Sequence, residues 1–183
     1  MLLLIWLGFD NMDFLELAKN RYSCRKFSDT KVEREKILSI LEAGRVSPSA
    51  HNLCPTKVLV LETEDNINKL KLATKCTFDA KTILVVMYDK DTSWKRSNDQ
   101  MDEGIVDASI CATHMMLEIE NLNLGTTWVG SFDKNIIMNE FNLPNNMEVV
   151  CLLPVGYKAD DSSPLPLHFK RKELNEFASF DKE

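Results

Sequence analysis

Two arginines and a serine near the amino terminus have the chemistry and the spacing of a phosphate site. Arg21, Ser23 and Arg25 alternate with single residues along the chain. In an extended segment, residues two apart point to the same side, so these three polar groups would share one face. Guanidinium groups match phosphate oxygens in a bidentate manner, and a hydroxyl adds a further donor. The residues alone leave a second interpretation open, in which they form a solvated basic turn between helices.

Three later segments carry chemistry that depends on their neighbours. The small-residue loop, Ser47-Pro48-Ser49-Ala50-His51-Asn52, is either a plain turn or a place where a flat ligand approaches the backbone. Trp128-Val129-Gly130-Ser131 is either a buried strand end or a backbone that lies against a ring. Lys170-Arg171-Lys172 is either a solvated basic run or the completion of an anion site.

Glycine spacing and charge exclude several classes of function. The six glycines stand apart at positions 8, 44, 104, 125, 130 and 156, so the GxGxxG and GxxxxGK[ST] phosphate loops are absent. The net charge of −6 comes from 22 Lys and Arg against 28 Asp and Glu, which argues against general nucleic-acid binding. Any bound anion must therefore be held by a few placed cations.

The cysteines indicate a reduced environment without a metal site. The five cysteines are separated by 22 to 40 residues and form no CxxC motif, and the three histidines have no zinc-ligand spacing with them. We therefore expect no bound metal, free thiols and a cytoplasmic location.

The chain begins with a short apolar run, MLLLIWLGFDN, that stands apart from the rest. It is too short to span a bilayer and lacks the basic start of a signal peptide. Asp13 with Glu16 three residues later is a better helix start. We expect residues 1–11 to be an extension upstream of the true start, outside the native fold, or a segment that packs locally. Residues 12–183 are expected to form a single domain without a membrane segment, since 183 residues with 44% apolar content can bury one substantial core.

Hydrophobic periodicity predicts alternating helices and strands, hence one domain with α/β-type alternation. Helices are predicted at 14–20, 30–43, 65–73, 102–121, 134–141 and after Arg171, with strands at 57–62, 82–88, 126–129 and 148–155. Thr30 and Glu33 have capping-box spacing at the start of the second helix, and Gly44 is predicted to stop it. Strand 82–88 is the most apolar and is predicted to be central.

The order of these motifs resembles the nitroreductase family of flavoproteins. R-Y-S-C-R-K-F precedes S-P-S-A-H-N by some 20 residues, and N-L-G-T-T-W-V-G-S-F-D, L-L-P-V-G-Y and H-F-K-R-K-E-L follow. The resemblance extends from about Asp13 to Phe180. It implies an α+β, nitroreductase-like three-layer fold in which helices flank a mixed, mainly antiparallel central sheet. It also implies FMN as cofactor, with active sites at a homodimer interface.

The resemblance also assigns roles to particular residues. The FMN phosphate and ribityl chain would be held by Arg21, Tyr22, Ser23 and Arg25, with Arg171 and Lys170 also reaching the phosphate. Contacts from the partner subunit would come from Pro48, Ser49, Ala50 and Asn52. The isoalloxazine ring would lie by Trp128, Val129 and Gly130.

Two departures from the family pattern affect the same loop. His51 stands where many members have glycine, which leaves its role open. Cys54-Pro55-Thr56 replaces a common glutamine-proline-tryptophan sequence, which alters the pocket wall and leaves the substrate preference open.

The resulting hypothesis is an FMN-dependent oxidoreductase that uses NAD(P)H to reduce nitroaromatics, quinones or related small acceptors by a ping-pong mechanism, with no catalytic side chain assigned. The alternatives are a flavin reductase, a dehalogenase-type reaction on the same scaffold, and a non-catalytic flavin-binding or sensor protein. Helix 102–121 is apolar on more than one face, which favours a homodimer over a monomer with this helix at its centre.

Overall fold

The computed structural model describes residues 13–181, and this part of the chain contains six α-helices and four β-strands. In chain order they are α1 Phe14–Asn20, α2 Arg34–Arg45, β1 Thr56–Leu61, α3 Glu64–Lys71, β2 Thr82–Asp89, α4 Gly104–Asn121, β3 Gly125–Thr126, α5 Lys134–Glu140, β4 Met147–Gly156 and α6 Leu174–Phe177. Two short 3₁₀ turns lie at Ala50–Asn52 and Pro166–Phe169. The predicted extension at 1–11 lies outside the described residues.

The four strands form one antiparallel sheet in the order β1-β2-β4-β3. β2 pairs with a neighbour on each side, which confirms that this apolar strand is central. Among residues 13–181, parallel pairing is limited to a single bridge between Ser23 and Thr126. The sheet is therefore mainly antiparallel, as predicted.

Helices cover both faces of this sheet and make three layers. One face packs against α2 and α4, through Ile37, Ile40, Leu84, Val86, Met115, Ile119, Leu153 and Val155 among others. The other packs against α3 and α5, through Ile67, Leu70, Ile83, Val85, Ile137, Val149 and Leu152 among others. Because both faces are covered, β2 has buried side chains on both sides and needs an almost unbroken apolar sequence. Each such Leu or Ile contributes about 1.5–3 kcal/mol of burial free energy.

The long helix α4 is buried along one side only. Its buried side includes Ala108, Cys111, Ala112, Met115 and Ile119, whereas Ile105 and Val106 are 49% and 37% exposed. Its first residue, Gly104, allows the helix backbone to approach the Tyr88 ring closely, since a Cβ there would lie 2.1 Å from Tyr88 Cδ2. In the described part of the chain, no helix has both the length and the apolar composition to cross a membrane.

The predicted boundaries of α2 are wrong at both ends. Glu33 occupies the N-cap position without a side-chain capping bond, and its carboxylate instead accepts hydrogen bonds from the Tyr157 hydroxyl at 2.7 and 2.9 Å. The Thr30–Glu33 capping box therefore does not form. Gly44 does not end the helix but lies inside it, where a Cβ would be 2.8 Å from Met115 Cγ. This glycine serves the packing of α2 against α4.

Two further elements are shorter than predicted. β3 contains only Gly125 and Thr126, and Val129 is joined to β4 by an isolated bridge to Leu152. The final helix, α6, is a single turn with a capping box formed by Glu173 and Glu176. β3 lies at an edge of the sheet, and α6 lies near the carboxyl terminus.

Candidate functional site

The first sequence motif and the late basic run meet at one cavity. This arginine cavity has a volume of about 250 Å³ and is lined by Arg21, Tyr22, Ser23, Arg25, Leu165, Leu167, His168 and Arg171. The first motif reaches it because residues 21–25 leave α1 and run extended beside β3. Ser23 bridges Thr126, and the Cys24 N–H donates to the Thr126 carbonyl at 2.9 Å. The predicted alternation of the two arginines and the serine is thus compatible with an extended backbone.

The arginine cavity is cationic. Three guanidinium groups and a serine hydroxyl stand among its lining residues, which include no carboxylate. None of the three arginines takes part in an ion pair with another described residue. Arg25 Nη1 donates to the Ser23 carbonyl at 3.1 Å, and Arg171 Nη1 donates to the Lys170 carbonyl at 2.9 Å. Such charge-assisted donors suit a phosphate or carboxylate anion.

Partly buried polar contacts hold the first motif in place. The Tyr22 hydroxyl and Ser162 Oγ are 2.9 Å apart, and Lys158 Nζ lies 5.1 Å from the centre of the Tyr22 ring. Lys158 Nζ also donates to both carboxylate oxygens of Glu120 at 2.7 and 2.9 Å. Tyr22 itself is buried, so it supports its neighbouring arginines through packing.

The small-residue loop has an unusual backbone. His51, Asn52 and Cys54 all have positive φ angles, of 52°, 54° and 49°. Non-glycine residues adopt this left-handed conformation only at a cost of about 1–2 kcal/mol each, so surrounding contacts must hold the loop. Ser49 Oγ accepts from the Cys54 N–H at 3.0 Å, and the His51 ring lies 4.8 Å from the Trp94 ring.

Asp107 is a further support of this loop, and the sequence interpretation missed it. It lies in the first turn of α4 and is 3% exposed, and its Oδ1 accepts from the Ala50 N–H at 2.8 Å. The available signal was a carboxylate inside an otherwise apolar stripe, which by itself does not indicate a contact to a loop 57 residues earlier.

A second cavity lies behind this loop. This loop cavity has a volume of about 400 Å³ and is lined by Leu41, Gly44, Arg45, Ser47, Pro48, Ser49, Cys54, Thr56, Lys57, Val58, Asp107 and Cys111. Pro48 and Ser49 therefore line a different cavity from Arg21, Ser23 and Arg25. Ala50 and Asn52 belong to the same loop but are not among the residues that line either cavity, and neither is Lys170.

The third predicted segment is the stretch of chain that follows β3. Val129 is 4% exposed and exchanges backbone hydrogen bonds with Leu152 at 2.9 and 3.0 Å. Trp128 is 37% exposed, and Gly130 is exposed. The strand-end interpretation therefore describes Val129 well, while its two neighbours are accessible to a ligand.

Comparison with known proteins identifies the family. The family model described as Nitroreductase family matches residues 18–82 and 68–157. A crystal structure of a nitroreductase family protein from Clostridium difficile 630 is 38% identical to this chain, with a TM-score of 0.88, and the match covers 94% of this chain and 100% of the other.

Two further relatives have descriptive names. An FMN-dependent nitroreductase from Clostridium difficile R20291 is 27% identical, with a TM-score of 0.74, and the match covers 92% of this chain and 99% of the other. A candidate NADH dehydrogenase/NAD(P)H nitroreductase from Methanothermobacter thermautotrophicus is 28% identical over 159 residues, which is 82% of this chain and 80% of the relative. Together with the three-layer fold and the order of the motifs, these matches show that the chain belongs to the nitroreductase family.

Proposed function

We propose that this protein is an FMN-dependent oxidoreductase that passes reducing equivalents from NADH or NADPH to nitroaromatics, quinones or related small acceptors. The observation that carries the proposal is the arginine cavity, where Arg21, Ser23, Arg25 and Arg171 converge from two distant parts of the chain. The chain otherwise lacks a glycine-rich phosphate loop. A cofactor with a terminal phosphate is therefore best served by these side chains.

The residues present fit FMN at its phosphate end. The donors are guanidiniums and a hydroxyl, and the absence of a carboxylate from the lining removes repulsion of the phosphate. A further buried donor, the Thr126 hydroxyl, has no hydrogen-bond partner among the described residues and belongs to the residue that bridges Ser23. We assign the phosphate to Arg21, Ser23 and Arg25, with Arg171 and its neighbour Lys170 completing the charge.

The remaining contacts would position the ring system. FMN, when bound, supplies the acceptance and donation of hydride, so no side chain of this protein is assigned an acid or base role. Pro48, Ser49, Ala50 and Asn52 offer small side chains and an ordered backbone. Trp128, Val129 and Gly130 would border the ring on the other side. Peptide N–H groups in either segment could stabilise charge on a reduced ring.

A homodimer would bring the arginine cavity of one chain to the small-residue loop of the other. Within a single chain the arginine cavity and the small-residue loop are separate, and the predicted site needs both. Exposed apolar side chains provide surface for association: the free side of α4 bears a shallow groove lined by Ile105, Val106, Ser109, Ile110, Thr113 and His114. Phe169, Phe177 and Phe180 of the carboxyl-terminal arm are 72–88% exposed. Burying such surface between copies is favourable.

The first experiment tests cofactor and activity together. The purified protein should be yellow, should lose its colour with NADH or NADPH under anaerobic conditions, and should regain it when a nitroaromatic or quinone is added. Parallel double-reciprocal plots would support the ping-pong order. If the colour returns only with free flavin, the protein is a flavin reductase. If it returns only with a halogenated phenol, a dehalogenase-type reaction is favoured. A yellow protein that no nicotinamide donor bleaches would be a binding protein, and a colourless protein that refuses FMN would contradict the proposal.

The second experiment tests whether the site is shared between chains. One chain carries Arg21→Ala and Arg171→Ala, and the other carries Ser49→Trp and Ala50→Trp. In a heterodimer with shared sites, one site collects all the defects and the other is intact, so about half of the wild-type flavin should be recovered. If a proven heterodimer recovers none, each site lies within a single chain.

A further inference from the structure

One lining residue of the arginine cavity is a histidine. His168 lines the cavity together with the three arginines and is half-buried. It belongs to the 3₁₀ turn Pro166–Phe169, and a hydrogen bond of 2.8 Å from its backbone N–H closes this turn. Histidine is the side chain whose charge ordinarily changes between about pH 5 and 8. The cavity therefore combines three permanent cations with a fourth group that can be neutral or cationic.

The contacts of the His168 ring orient it without using its nitrogens. The ring centre lies 6.4 Å from that of Tyr22 and 4.9 Å from that of Phe169, and both contacts are edge-to-face, with interplanar angles of 72° and 80°. Among the described residues, neither ring nitrogen has a hydrogen-bond partner. Both nitrogens are therefore available to a ligand in the cavity.

The charges around this ring favour a link between its protonation and an anion. Like charges disfavour a further cation, whereas a phosphate dianion favours one. No carboxylate is among the residues that line the cavity. The carboxylates on adjoining segments are engaged elsewhere, in the pairs Glu120–Lys158 and Asp161–Lys26 and in the α6 capping box of Glu173. The Tyr22 hydroxyl is in contact with Ser162, and Lys170 adds a further cation on the same segment. A bound phosphate would thus supply negative charge that the described lining lacks.

We propose that His168 is a phosphate-binding residue of the flavin site and takes up a proton when FMN binds. One imidazole nitrogen accepts a proton from the solvent, and an N–H of the resulting imidazolium donates to a phosphate oxygen. This inference rests on the proposed function, because it requires the arginine cavity to hold the FMN phosphate. It adds to that function a cofactor affinity that depends on pH.

Two flavins isolate the contribution of the phosphate. FMN and riboflavin share the ring and the ribityl chain, but only FMN carries the phosphate. Titration calorimetry of the flavin-free, full-length protein at about pH 7.5, in two buffers of different ionisation enthalpy and without inorganic phosphate, measures proton uptake on binding. The wild type should take up about half a proton with FMN and none with riboflavin. Equal uptake with the two flavins would overturn the proposal.

Two variants distinguish a proton acceptor from a packing residue. His168→Gln keeps an N–H donor but has no basic nitrogen, and His168→Phe keeps an aromatic ring against Tyr22. Both should lose the proton uptake, and the FMN affinity of the wild type relative to either variant should rise about tenfold between about pH 8 and pH 6. Ionisation of the phosphate itself affects all three proteins alike. The control is Lys19→Gln, which removes an exposed cation outside the cavity lining and should retain the wild-type uptake.

The outcomes separate this inference from the proposed function. FMN binding with the wild-type proton uptake in either variant would contradict only this inference, since the His168 ring would then serve packing alone. A protein with His168-dependent uptake that neither NADH nor NADPH bleaches would support this inference and contradict only the proposed activity. A wild-type protein that binds no FMN would contradict both. If one variant fails to fold, the other variant and the comparison of FMN with riboflavin still decide the question.

Discussion

The arginine cavity and the small-residue loop offer different atoms to a ligand. In the cavity, the groups available to a ligand are side-chain charges, and the arginines that supply them are in no ion pairs with other described residues. In the loop, the side chains are mostly small and the available groups are those of the backbone, which is held in a left-handed conformation with hydrogen bonds to Asp107 and Ser49. Loss of a cavity arginine should therefore alter binding more than folding, whereas loss of loop geometry should alter folding as well.

The largest expected effect comes from the arginine cavity. Arg21→Ala removes a charge-assisted donor and should weaken FMN binding by about 1.5–3 kcal/mol, or ~10- to 150-fold, with little change in the free energy of unfolding. Flavin fluorescence titration and urea unfolding measure the two quantities. Lys19→Ala, which removes an exposed cation from α1 outside the cavity lining, is the matched control and should change neither. An unchanged flavin affinity for Arg21→Ala would support the other interpretation, in which the motif is only a solvated basic turn.

A backbone change beneath the cavity should affect both quantities. A Cβ on Gly125 would lie 2.7 Å from Cys24 Sγ, so Gly125→Ala must push the first motif away from β3. Overpacking of this kind costs about 1–3 kcal/mol, and FMN binding should weaken with it. Gly130→Ala is the control for unfolding, because its Cβ would meet only Trp128 Nε1, at 3.8 Å. Equal free energies of unfolding for Gly125→Ala and Gly130→Ala would show that the first motif can move away from β3 without loss of stability.

Strain in the small-residue loop predicts an effect of opposite sign for two substitutions at one position. His51→Gly should stabilise the protein by about 0.5 kcal/mol, since glycine adopts a positive φ without the steric cost. His51→Val should destabilise it by about 1–2 kcal/mol, because a branched side chain fits that conformation poorly. Val46→Gly, at an exposed residue with φ of −87°, is the control and should be destabilising. Thermal unfolding ranks the three, and a stabilising His51→Val would refute the strain argument.

The smallest expected effect concerns the two cysteines of the loop cavity. Cys54 is exposed, whereas burial raises the pKa of the Cys111 thiol, so iodoacetamide should modify Cys54 much faster. A thiol whose pKa is raised by folding favours the folded state below its ordinary pKa, and this contribution is lost as the pH rises through the folded value. Mass spectrometry over a range of alkaline pH values tests the order. Cys54→Ser should abolish the fast reaction at position 54, and fast modification that mass spectrometry maps to Cys111 would place that thiol at the surface.

Local sequence patterns predicted most of the fold because they reflect which faces are buried. The apolar run of β2 and the periodicity of α4 indicate burial directly, and both elements were predicted within two residues of their observed ends. The misplaced ends of α2 have a tertiary cause. Gly44 resembles a stop signal in the sequence, but it lies inside the helix, where the absence of a Cβ leaves room for Met115 of α4. No local signal distinguishes those two uses of glycine.

For the candidate site, the sequence by itself determined the residue types and their order, including the alternating Arg21, Ser23 and Arg25. Only the tertiary structure decided that Arg171 joins them, that Pro48 and Ser49 line another cavity, and that Asp107 supports the loop. The physical reason is that spacing along an extended segment orients side chains locally, whereas convergence of distant segments depends on how the helices pack on the sheet. The left-handed backbone angles of His51, Asn52 and Cys54 are likewise a tertiary feature, since contacts with distant residues hold them against the local conformational preference.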